Sequence, residues 1–258
     1  MCNPKKVLII VSILVLGIIG IYFYVNNKKV YLLKEYSTSG KLLGTNEYIL
    51  KDGDTLIHGK FVNYNDKGIK TSEGQFKNGH INGDCFYYYD NGKIKSIYYR
   101  KNKRITLESK FYNLKGVLEK YTMYDPYGLE TFIINFDEKG ATKYNGYFQI
   151  ETYQYKFSHP EQFKIKEQQY LKVGDKLKYS YLIANIPNAK RSFKIENISV
   201  DNSKVKRTLK HIEPCQWDVE EILTKKGKNT IRSIVKYEFK DKVTPVFIDT
   251  LSFDIEVH

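Results

Sequence analysis

Residues 76–99 read FKNGHINGDCFYYYDNGKIKSIYY. Within them Tyr88 is followed four residues later by Gly92. The same spacing recurs at Tyr36–Gly40, Tyr64–Gly68, Tyr112–Gly116, Tyr124–Gly128 and Phe136–Gly140. Gly68, Gly92, Gly116 and Gly140 stand 24 residues apart, and Gly128 falls midway, giving a half-period of 12. Gly79 and Lys103 lie near the other midpoints, in the related phrases FKNGH and YRKNKR. Six aromatic–glycine pairs, five of them in one phase, argue against chance.

Turn chemistry turns this rhythm into a fold. Asn78-Gly79 and Asn91-Gly92 are signals for two-residue hairpin turns, which need positive φ where Asn and Gly lose least. Twelve residues fit one short strand and its turn, so 24 make a hairpin. One hairpin cannot bury its aromatic face, but a row of hairpins can, each contacting its neighbours. The aromatics Tyr88, Tyr112, Tyr124 and Phe136 are therefore expected to pack between hairpins, not to form an exposed platform. Gly40, Gly68, Gly79, Gly92, Gly116, Gly128 and Gly140 are expected as structural turn glycines. Two places depart from the rhythm: Lys103 stands where glycine is due, and 28 residues separate Gly40 from Gly68, with Gly53 and Gly59 between them. Bulged or edge hairpins are expected there.

The phrase YYYDNGKIKSIYY, flanked by FKNGHINGD, resembles the MORN-repeat variant of bacterial envelope and orphan proteins, some of which are labelled antitoxins of a toxin–antitoxin family. The resemblance covers about residues 31–147. It implies a β-hairpin repeat domain over 30–147 and contacts with protein or lipid, but it names no site residue.

Toward the N-terminus, residues 7–25 read VLIIVSILVLGIIGIYFYV without one charge. Nineteen helical residues at 1.5 Å each give roughly 28 Å, close to the hydrocarbon thickness of a bilayer. Tyr22 and Tyr24 sit near the far end, where aromatic rings favour the interface. A transmembrane helix over 7–25, within an anchor of residues 1–29, is expected. No small-x-small site follows it, so the anchor is read as uncleaved. Lys5 and Lys6 precede the span, and Lys28, Lys29, Lys34 and Lys41 follow it, so the count of cations does not favour export. The shape of a short Lys-Lys lead does, and long domains cross largely regardless of charge, which points to single-pass topology with the C-terminal domains outside the cytoplasmic membrane.

Beyond about Gly146 the glycine rhythm stops and longer alternations begin. Leu177, Tyr179, Tyr181 and Ile183 alternate with Lys178, Ser180 and Leu182. Val235, Tyr237 and Phe239 alternate with Lys236 and Glu238, and Phe247, Leu251, Phe253, Ile255 and Val257 share one face. Short apolar runs near 163–165, 193–200 and 205–212 bring the count to about seven strands, which suits an antiparallel β-sandwich over 148–258. Residues 216–224, where Trp217, Val219 and Ile222 do not alternate, are read as a short helix. The phrase LKVGDKLKYSYLIANIP resembles the opening strands of immunoglobulin-like modules in bacterial surface proteins. The fold class is therefore all-β, a hairpin array followed by a sandwich, behind one transmembrane helix.

Composition agrees, since 15% of residues are aromatic, with 23 Tyr and 14 Phe, and flat rings suit pleated surfaces. The net charge is +13, but only Arg100, Arg104, Arg191, Arg207 and Arg232 carry bidentate forks; the rest are lysines spread along the chain. That reads as a solvated surface and not a specific nucleic-acid site. Cys2, Cys85 and Cys215 show no metal or redox spacing, and Cys85 and Cys215 are expected as free packed thiols. His58, His80, His159, His211 and His258 form no ligand pair, and no nucleophile elbow, phosphate loop or dinucleotide fingerprint occurs. His211 and Cys215 are the one close His/Cys pair, and Asp249 and Asp254 should face opposite sides of their strand. No catalytic, cofactor or metal residue is expected, nor a small-molecule substrate. The expectation is a non-enzymatic envelope protein with a protein or envelope-component partner; an immunity or antitoxin-like protein is the alternative.

Overall fold

The computed structural model describes residues 29–151, 171–198, 200–241 and 243–258. The expected span over 7–25 and the apolar run at 163–165 lie outside these residues. No helix among the described residues is long and apolar enough to cross a membrane. They form an all-β structure in two compact units that divide between Ile81 and Asn82.

In the first unit, β1 (Tyr31–Tyr36), β2 (Leu42–Lys51), β3 (Asp54–Tyr64) and β4 (Lys70–Lys77) pair antiparallel in sequence order, and the short β5 (His80–Ile81) pairs with β4. Two turns here are tight two-residue ones. Lys51 pairs with Asp54 around Asp52-Gly53, and Lys77 with His80 around Asn78-Gly79, both central residues having positive φ in each. The 28-residue irregularity is a bulge. Between the pairs Asn46–Phe61 and Tyr48–Ile57, Glu47 faces three residues of β3, and its Oε2 accepts the Lys60 N–H at 2.7 Å. Among the described residues of this unit Ile49 and Phe61 are the buried apolar ones, with Phe76 edge-on to Phe61.

The second unit opens with a meander: β6 (Gly83–Tyr88), β7 (Ile94–Arg100), β8 (Thr106–Tyr112), β9 (Leu118–Tyr124), β10 (Glu130–Phe136) and β11 (Ala141–Gly146), each antiparallel to the next. The recurring aromatic is the last residue of its strand, and its partner lies six residues on: Tyr88 with Ile94, Tyr112 with Leu118, Tyr124 with Glu130. In the β6–β7 turn the Tyr89 N–H donates to the Lys93 carbonyl and the Gly92 N–H to the Tyr89 carbonyl, with Gly92 at φ +79°. This is a three-residue loop with a bulge at a left-handed glycine, which corrects the expectation of a two-residue Asn91-Gly92 turn. Where Asn or Asp opens the loop, its carboxyl or amide oxygen accepts two loop N–H groups, as Asn113 does from Lys115 and Val117. The loop at Lys103 spans the same five residues between Arg100 and Thr106, but no residue in it has positive φ and Asn102 supplies the acceptor. The last turn is one residue shorter, pairing Phe136 with Ala141.

Beyond Gly146 the chain enters two smaller sheets. One runs in the order β12 (Gln149–Glu151), β13 (Lys176–Ile183), β16 (Gln216–Ile222), β15 (Arg207–Ile212); the other joins β14 (Ala189–Asn197), β17 (Gly227–Phe239) and β18 (Phe247–Val257). Residues 216–222 are thus a strand and not the expected helix. The alternation read in the sequence is present: Leu177, Tyr179, Tyr181, Val235, Tyr237 and Phe253 point inward and are buried. Asp249 and Asp254 lie at positions of opposite parity on β18, Asp254 bound to Thr230 and Lys228. Tyr121, Met123, Phe132 and Ile134, from one face of the meander, join the inward residues of both small sheets in one core. Phe148 meets Phe132 and Tyr237 edge-on at that junction.

Candidate functional site

Cross-strand register assembles the most site-like feature of the second unit. Asp84, Tyr99, Glu108 and Met123 lie opposite one another in a row on the core-facing side of the meander, with Lys110 in the next row. The β15–β16 turn, which contains the cis Glu213–Pro214 peptide, brings Cys215 onto this row. Register fixes the turn itself: Ile212 pairs with Gln216, and the Ile183 N–H donates to the Cys215 carbonyl at 2.8 Å.

The Cys215 thiol donates to Glu108 Oε2 at 3.5 Å and lies 3.7 Å from the Tyr121 hydroxyl, which accepts the Asn185 N–H at 2.7 Å. Glu108 also pairs with Lys110. Burial pushes the Cys215 thiol up, and the Glu108 carboxylate pushes it further. Burial raises Glu108 itself above the usual carboxylate range, against the pull of Lys110. Burial opposes the charge of Lys110, but Glu108 outweighs it and holds the ammonium above its ordinary value. Asp84 is raised by burial as well. A thiol in this setting keeps its proton and lacks nucleophilic character.

Above it opens a cleft of about 270 Å³, lined by Tyr99, Tyr124, Pro126, Ile212, Pro214 and Gln216 among others, with Cys215 in its wall. His211 is not joined to the thiol. Its ring stacks on Trp217 at 4.5 Å, Nε2 lies 3.2 Å from the Pro214 carbonyl, and Nδ1 lies 3.4 Å from Glu213 Oε1. The pair, close in sequence, is therefore divided between two sets of contacts. A pocket with apolar walls, ringed by Asn82, Lys101, Glu213 and Gln216, can seat an apolar group and orient it with a few polar contacts.

The remaining singled-out residues are elsewhere. Gly40, Gly68, Gly92, Gly116 and Gly128 occupy bulged turns with φ between +76° and +89°, Gly79 a tight turn, and Gly140 the shortened last turn. Cys85 is a buried free thiol. His58 accepts the Asn78 N–H at 3.3 Å, and His159 lies outside the described residues. Among the described residues no group of three His, Cys, Asp or Glu side chains could hold a metal. Glu108 went unnoticed in the sequence. Alternation hides it: in TLESKFY the apolar Leu107 and Phe111 take the other parity, so Glu108 and Lys110 read as the solvent-facing side.

A second buried charge pair lies within the small sheets. Arg207 Nε donates to Glu221 Oε2 at 2.7 Å, Tyr179 donates to the same oxygen at 2.9 Å, and Arg207 Nη1 reaches the Ile195 carbonyl at 2.7 Å. It links strands of both sheets.

No family model matches this chain, and no curated protein does. Among solved structures it is similar to the accessory secretory protein 1, 2 and 3 structure from Streptococcus pneumoniae, at 15% identity and a TM-score of 0.20. The match takes in 42% of this chain and 18% of that one, and at that score it carries no argument about fold or function.

Proposed function

We propose that this chain is a non-enzymatic binding protein of the bacterial cell envelope. Residues 7–25 hold it in the cytoplasmic membrane, and the repeat-bearing and sandwich-like parts stand outside, engaging a protein or another envelope component. MORN-like hairpins and an immunoglobulin-like sandwich serve as scaffolds in this reading. The observation that carries it is the state of the thiol beside the cleft. The Cys215 thiol is buried and lies 3.5 Å from Glu108 Oε2 and 3.7 Å from the Tyr121 hydroxyl, while His211 is held by Pro214 and Trp217, so the cleft offers shape and apolar surface in place of a Cys–His nucleophile. A partner would place an apolar side chain between Tyr99, Tyr124 and Pro214.

Cross-linking of the full-length chain in intact cells tests this. Replacing Tyr124 by Ala should abolish capture of an envelope partner at physiological salt while the fold persists by circular dichroism. Capture that is indifferent to this change and vanishes with modest salt would mean only lysine-driven adhesion.

A further inference from the structure

The meander of the second unit has a second face, turned away from the shared core. Register places two parallel rows across its six strands. One holds Tyr87, Ser96, Phe111, Lys120, Asn135 and Lys143; the other holds Cys85, Tyr98, Ser109, Thr122, Ile133 and Asn145. Neither row contains an aspartate or glutamate, whereas the opposite face carries Asp84 and Glu108. Six strands at about 4.8 Å spacing make each row roughly 24 Å long.

The side chains form a track along these rows. Tyr87 meets Tyr98 edge-on at 5.5 Å, and Tyr98 meets Phe111 edge-on at 5.6 Å. Arg100 lies 5.2 Å over the Tyr98 ring and Lys120 lies 4.8 Å over the Phe111 ring. Ser109 and Thr122 are fully buried beneath the larger groups, while the rings themselves stay half-exposed. At the β11 edge the track ends in a groove walled by Ile133, Asn135, Lys143 and Asn145. Rings, three cations and two amides thus line these two rows, and the nearest acid on this face is Glu130, which pairs with Tyr124 in the row beyond.

We propose that this face binds a linear acidic polysaccharide. The assignment deepens the envelope-binding reading and rests on it. Charge complementarity requires an anion, and the length of the rows requires an extended one. The rings choose among polyanions. They stand at 84° and 82° to their neighbours, so they offer no run of parallel faces on which successive bases could stack. The C–H groups of sugar rings contact ring faces and edges alike, carboxylates reach Arg100, Lys120 and Lys143, and hydroxyls reach the Asn135 and Asn145 amides.

The full-length chain in mild detergent, titrated onto immobilised polygalacturonate, tests the assignment, with dextran as neutral polymer and poly(dT) as nucleic acid. Expected is retention on polygalacturonate and none on dextran, weakened about tenfold or more by Lys120→Glu with Lys143→Glu. Phe111→Leu, which keeps an apolar side chain but no ring, should weaken it as well. The pair Lys172→Glu and Lys226→Glu, in turns of the small sheets, should leave retention unchanged. Equal weakening by that pair, tighter retention on poly(dT), or no retention on polygalacturonate overturns the proposal. An envelope partner still captured through the Tyr124 cleft, in a chain that ignores the polymer, defeats this assignment alone. Polymer binding without cleft capture defeats the cleft reading alone.

Discussion

Cys215 and Glu108, 107 residues apart in sequence, share a hydrogen bond of 3.5 Å inside the second unit. The bond ties the β15–β16 turn to the meander and keeps the thiol neutral. Native Cys215 should therefore resist iodoacetamide near neutral pH, and peptide mass spectrometry should find it alkylated only after unfolding in urea. Buried Cys85 should behave alike. Rapid labelling of folded Cys215 would refute the assignment of a protonated, enclosed thiol.

Glu108 gives a pH dependence of definite sign. Its carboxyl is raised by burial, so the folded chain holds that proton more tightly than the unfolded one. This contribution is full below the unfolded value, about 4, and is lost as pH rises toward the folded value. Glu108→Gln removes the titration while keeping an acceptor for the thiol. Its stability relative to the parent, from urea midpoints, should rise with pH across that window and then level off. A flat difference would contradict the burial.

The bulged turns separate backbone conformation from space. Gly116 has φ +86° and only the Lys93 side chain near a would-be Cβ, at 3.9 Å, so Gly116→Ala should cost about 1–2 kcal/mol through conformation alone. At Gly146 the same atom would lie 2.1 Å from the Thr131 carbonyl oxygen, and Gly146→Ala should cost more. Lys103→Gly restores the rhythm of the sequence but should not stabilise, because no residue there has positive φ; a loss of about 0.5–1 kcal/mol is expected. Urea denaturation of the three variants distinguishes these cases.

In the small sheets, Arg207→Met strands the buried Glu221 carboxylate and should cost roughly 3–5 kcal/mol. Combining it with Glu221→Leu should recover much of that loss, whereas Tyr179→Phe should cost about 1 kcal/mol. A thermodynamic cycle on the pair reads the coupling directly. Additive losses would show that the two side chains do not interact.

The same pair explains what could and could not be read from the sequence. Strands with an unbroken inward stripe, such as Leu177–Tyr179–Tyr181–Ile183, were legible, as were hairpins punctuated by glycine. Residues 216–222 were not, because the inward positions are Trp217, Val219 and Glu221, and a buried charge stands where the stripe predicts an apolar group. Local turn geometry was legible only in part. Asn-Gly marks a positive φ, but whether the loop has two residues or three depends on the bulge of the flanking strand. The cleft was illegible for a simpler reason: its walls come from residues 82–126 and 182–216, which meet by packing, and no local spacing records that.

The 24-residue unit delivers two strands of opposite direction, a return trip along the sheet. Duplicating or losing one whole unit therefore leaves everything downstream heading the same way with the same side chains turned inward. A change of 12 residues would release the following chain at the wrong end of the sheet, and a change of one would invert its faces. Descendants of this sequence are accordingly free to grow or shrink here in steps of two strands, while smaller changes have to be taken up by a bulge or a turn, as at Glu47 and between Phe136 and Ala141.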